Sequence, residues 1–146
     1  MKLLSLIFTL LITVTLSAQE IKLKKEIVYV GDAPTFSFAK KAMGNELYVY
    51  KLNTKEELVN LIVDDNNTES KVDDSKKITF TKQNVTIISK DFRGRNYEFL
   101  LTMLLDAKVI NLNGEINTDN LIKFKQKYDA GNINRSEERR VGKECA

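Results

Sequence analysis

The chain has 146 residues, 42% hydrophobic and 29% charged, with one Pro, one Cys, no His and no Trp. That length holds one domain, and the apolar fraction excludes wholesale disorder. Without His the usual general base and the commonest metal ligand are missing, and a single Cys cannot build an internal disulfide, a redox pair or a thiolate zinc site.

The opening segment, MKLLSLIFTLLITVTLSAQE, has a basic Lys2 and an apolar run from Leu3 to Leu16. The run is shorter than the ~20 residues of a membrane span. Ser17 and Ala18 then precede polar chain. This reads as a signal peptide over residues 1–18, cleaved after Ala18. It implies a secreted or periplasmic protein with no integral membrane segment once the leader is gone.

Ile21 to Val30, IKLKKEIVYV, reads as one strand closed by a turn at Gly31-Asp32. Thr35 to Ala39 alternates, with Phe36 and Phe38 on one face. Gly44-Asn45 supplies a second turn. Leu47 to Leu52 places Tyr48, Tyr50 and Leu52 on one face, Leu47 and Val49 on the other. Lys55 to Asp65 fits two patterns. Thr54 and Glu57 match a helical capping box, but Val59, Ile62 and Val63 favour a strand, which is the preferred reading. Asn66 to Ser75 is a polar, acidic loop. Lys76 to Lys82 is a strand with Ile78 and Phe80 on one face, and Val85 to Ser89 follows with shifted phase, so Gln83-Asn84 is a turn or a bulge.

The period then changes. Tyr97, Leu100, Leu101, Leu104 and Leu105 form a helical stripe, with Asn96 as N-cap and Lys108 favouring the C-terminal end. After Asn111–Gly114, Asn117 or Thr118 caps a second helix carrying Leu121, Phe124 and Tyr128. The expected fold is α+β: an antiparallel meander of about five or six strands followed by two C-terminal helices. The helices are the only amphipathic cover for the sheet. Leu101, Leu104 and Leu105 should therefore pack on Phe36, Phe38, Ile78 or Phe80, with Phe124 and Tyr128 closing one end.

Arg135 to Cys145, RSEERRVGKEC, has no periodicity and is similar to the in-frame translation of a short-read sequencing adapter. The expectation is a single domain over residues 19–134, a non-native tail over 135–146, and a native chain that continues past Asn134. Setting aside Lys2 and the tail's four basic and three acidic residues lowers the net charge from +3 to +1. No electrostatic argument for a nucleic-acid partner remains.

A leader ending SAQ, a first strand IKLKKEIVYVGD and a closing LLDAKVINLNGEINTDNLIKFKQKYD resemble a group of small secreted proteins of Bacteroidetes-type bacteria. The resemblance implies compartment and fold. It assigns no activity and no site residues.

Three clusters are candidates for chemistry. Asp64, Asp65, Glu69, Asp73 and Asp74 crowd one loop and offer oxygen ligands for a cation. Their spacing is not that of a calcium loop, no Gly makes the sharp turn, and lysines intrude. Arg93 and Arg95, around Gly94 and just before a helix, could hold an anion with guanidinium and N–H groups. Tyr29, Phe36, Phe38, Tyr48 and Tyr50 lie in adjacent strands, as core or as a stacking surface for sugars or nucleobases. No Ser has a His partner and no phosphate loop occurs. The reading is an exported, non-enzymatic domain, extracytoplasmic or envelope-associated, with a protein or envelope partner and no cofactor. A ligand-binding module using the aromatic face or the acidic loop is the first alternative. A small hydrolase using paired carboxylates is the second.

Overall fold

The computed structural model describes residues 19–64, Glu69 and 75–130. The expected leader, most of the acidic loop and the adapter-like tail lie outside them. Seven strands form one antiparallel sheet in sequence order. They are β1 (Ile21–Lys24), β2 (Ile27–Val30), β3 (Ala33–Lys41), β4 (Glu46–Lys51), β5 (Glu57–Asp64), β6 (Ser75–Phe80) and β7 (Val85–Ser89). Two helices follow, α1 (Tyr97–Asp106) and α2 (Thr118–Tyr128). The α+β meander expected from the sequence is the fold found, with one strand more than the count of five or six.

The extra strand comes from the first segment. Ile21 to Val30 is a hairpin, with Lys24 opposite Ile27. Its two-residue turn is Lys25-Glu26, both at positive φ (49° and 64°). Such turns favour Asn or Gly because a Cβ is disfavoured there. The residues gave no turn signal, so the hairpin read as one strand.

Lys55 to Asp65 resolves as strand β5. Thr54 serves the β4–β5 turn: its hydroxyl donates to the Lys51 carbonyl (2.8 Å) and accepts from the Glu56 N–H (3.2 Å). A register shift at Val49/Tyr50 accompanies the consecutive burial of Leu58 and Val59, as at a β-bulge, which breaks strict alternation.

Register puts Ile21, Val28, Phe36, Leu47, Val49, Val59, Leu61, Ile78, Phe80 and Ile87 on one face, all buried. The helices cover that face, α1 against β1 and α2 against β7. Leu100, Leu101 and Leu104 are buried in the same cluster as Phe36, Ile78 and Phe80, while Leu105 and Phe38 sit at its margin. Phe92, Phe124 and Tyr128 stack at one end, with centroids 4.6–6.2 Å apart.

Both helices start as their caps dictate. The Asn96 side chain accepts from the Phe99 N–H (2.8 Å), and that of Asn117 accepts from the Asn120 N–H (3.0 Å). Such caps stabilise by about 1 kcal/mol each. Between the helices, Ile110 bridges Ile116 around a turn at Gly114. Gly114 has φ +78°, and a Cβ there would come 3.1 Å from Lys51 Cγ. Positive φ and crowding together favour glycine there.

Tyr97 ties α1 to the β3–β4 connection, donating from its hydroxyl to the Gly44 carbonyl (2.7 Å). Burial, and then the Glu46 carboxylate, raise its pKa above the usual tyrosine value. Unfolded tyrosine titrates near ~10. The neutral phenol therefore contributes stability below that pH and loses it as pH rises through the higher folded value. Unfolding free energy should thus decline in alkali. Tyr97→Phe should cost about 0.5–1.5 kcal/mol at neutral pH and make the alkaline decline shallower. Urea titrations at neutral and alkaline pH check this, and identical slopes in both proteins would refute it.

Candidate functional site

The three clusters read from the sequence fare differently. Asp64 ends β5 opposite Ser75, and Glu69 is exposed. Asp65, Asp73 and Asp74 lie outside the described residues. Among the described residues no three acidic, His or Cys side chains gather as a metal site.

Arg93 and Arg95 are exposed on either side of Gly94, at φ +72°. Their backbone N–H groups do not form an anion cradle. Arg93 N–H donates to the Lys90 carbonyl and Arg95 N–H to the Phe92 carbonyl, both at 3.1 Å. The Arg95 guanidinium lies 4.6 Å from the Phe99 ring centre, a cation–π contact.

What organises this segment is Lys76, which from the sequence reads only as a strand-end lysine intruding on the acidic loop. Its ammonium donates to the Phe92 carbonyl (3.1 Å) and to the Arg95 carbonyl. Only 9% of the residue is exposed. Strand parity carried the signal: Lys76 shares a face with Ile78 and Phe80, so it points under the helices.

The aromatic cluster divides by parity. Phe36 is buried and Phe38 packs against the core. Tyr29, Tyr48 and Tyr50 fall on the opposite, open face, each half-buried. No described element lies over that face. Across it, Tyr48 stands between Ala39 and Asn60, followed by Thr79 and Thr86. Tyr50 stands between Ser37 and Glu57.

Polar contacts fix these groups. The Tyr48 hydroxyl donates to Glu46 Oε2 (2.9 Å), and Lys41 Nζ is 4.4 Å from the ring centre. That hydrogen bond, with burial and the nearby Glu46 and Glu57 charges, raises the Tyr48 pKa. Glu57 Oε1 accepts from Asn60 Nδ2 and from the Thr81 hydroxyl, both at 2.8 Å. Asn60 Oδ1 is buried and unpartnered. The result is a surface of ring faces beside fixed amide, hydroxyl and carboxylate groups. Such a surface can bind by stacking and hydrogen bonding.

Comparison with protein-family models, with curated proteins and with solved structures finds no match for this chain. No helix among the described residues is long and apolar enough to cross a membrane.

Proposed function

We propose that this protein is an exported, non-enzymatic binding module whose open sheet face holds a saccharide of the cell envelope. One observation carries the reading. Tyr48 and Tyr50, two residues apart on β4, lie half-buried on the uncovered face beside Glu57, Asn60 and Thr79, with Thr81 hydrogen-bonded to Glu57. Two residues along a strand span about 7 Å, so the rings can contact successive parts of one extended ligand. Stacking serves sugars and nucleobases alike, but the near-neutral body, +1 without leader and tail, favours an uncharged ligand. The leader and the resemblance to small secreted proteins support export. The absence of His from the whole sequence supports a binding role over catalysis.

Two measurements test this. Mass spectrometry of the protein from its native source should find Gln19 at the N-terminus, and intact Met1 in a cytoplasmic pool would refute export. In the second, the protein should co-sediment with purified peptidoglycan sacculi. A Tyr48→Ala, Tyr50→Ala double variant with an unchanged circular dichroism spectrum should stay in the supernatant. Equal pelleting of the two proteins would refute the face, no pelleting of either would refute the saccharide, and release of soluble fragments would refute the non-enzymatic role.

A further inference from the structure

The two edges of the sheet are treated differently. At β7, α2 closes the edge. Lys125 Nζ donates to the Thr86 carbonyl (2.9 Å), and Asp129 Oδ1 accepts from the Ile88 N–H (3.0 Å). Those two backbone groups would otherwise be free to pair with another strand.

At β1 no described element does this. The Glu20 carbonyl accepts from the Gly31 N–H, so the backbone groups of Glu20, Lys22 and Lys24 face β2. By the alternation of an antiparallel strand, those of Ile21 and Leu23 face outward. Beside them runs an open groove of about 810 Å³, lined by residues 19–24 and by Asn96, Glu98, Phe99 and Thr102 of α1 and its cap. Phe99 is 39% exposed.

We propose that two copies of this chain pair through their β1 edges, antiparallel, with Ile21 opposite Ile21 of the second copy. The strand's own charges choose this occupant and this register. Lysines on an edge ordinarily oppose pairing, because like charges directly across a ladder repel. Only outward-facing residues can exchange ladder hydrogen bonds, so few registers are open. Placing Leu23 opposite Leu23 sets Lys22 against Lys24. Placing Ile21 opposite Leu23 sets Glu20 against Lys24 twice but puts Lys22 against itself at the axis. Placing Ile21 opposite Ile21 sets Glu20 against Lys22 twice, once on each side of the axis, with no like pair. Gln19 then faces Leu23.

The two-fold axis stands perpendicular to the sheet. Both α1 helices therefore lie on one side of it, and Phe99 of each copy adds apolar surface to the seam. A four-residue strand buries little area, so the dimer is weak and its population depends on concentration.

Sedimentation velocity on protein expressed from the full reading frame tests the pairing. The wild type should shift from monomer to dimer as concentration rises. Lys22→Glu should weaken association about tenfold, since two attractive pairs become repulsive. Lys24→Glu should leave it within about twofold, since Lys24 faces no charge of the second copy in this register. Combining Glu20→Lys with Lys22→Glu should restore the wild-type constant. These side chains are exposed, and circular dichroism confirms that each variant folds. A wild type that stays monomeric at every concentration overturns the proposal. So does a Lys24→Glu loss as large as that of Lys22→Glu, or a double variant that does not recover.

Discussion

Leu104→Ala should lower the unfolding free energy by about 2–5 kcal/mol. Leu104 is fully buried, in the middle of the α1 stripe that covers the sheet. Truncation removes its transfer free energy, roughly 1.5–3 kcal/mol, and leaves a cavity between helix and sheet. Surrounding Leu100, Leu101, Ile78 and Phe80 are themselves buried, so the cavity has little freedom to close. A domain of this size has only ~5–15 kcal/mol in total. Met43→Ala is the matched control, because Met43 is wholly exposed and its loss should fall within about 0.5 kcal/mol. Urea midpoints of the two variants decide the matter. Equal small shifts would mean that α1 is not the lid.

Lys76→Met should cost about 1.5–3 kcal/mol, the range for hydrogen bonds to a charged group. The ammonium holds the Phe92 and Arg95 carbonyls from beneath, where water cannot readily replace it. Methionine keeps the apolar stem and the volume but leaves those acceptors without this donor. The loss should be felt locally as well as globally. Amide hydrogen exchange should quicken at Arg93 and Arg95, whose N–H groups close the same turn, and at the first turn of α1. An unchanged midpoint with unchanged exchange would show that the ammonium has no structural role.

Much of this architecture was legible because it follows parity and period. Leu47 and Val49 against Tyr48 and Tyr50 separates the two faces of β4 without further information. The stripe from Tyr97 to Leu105 and the cap at Asn96 define α1 in the same way. What escaped was set by geometry rather than composition. Lys25-Glu26 adopts a left-handed turn for which its residue types give no signal. Thr54 and Glu57 have capping-box spacing, but the hydroxyl closes a hairpin and the carboxylate reaches Asn60 and Thr81. At the candidate site, parity could divide the aromatic cluster once the core face was known. The fate of the Arg93 and Arg95 N–H groups could not be read, since their acceptors are carbonyls that only the folded turn brings near.

The order of elements along the chain also sets the timing of folding. Each strand meets its sequence neighbour, so loop closures within the sheet are short and cheap in entropy. The cover is different: α1 must travel back to β1, at the far end of the domain. A chain emerging N-terminus first, from a ribosome or a translocation pore, therefore presents Phe36, Ile78 and Phe80 to water until residues 97–128 arrive. An apolar sheet exposed in this way is prone to aggregation. Translation that stops before α2 would leave the β7 end of the apolar face and the β7 edge bare, so among the described residues the second helix completes the cover at that end.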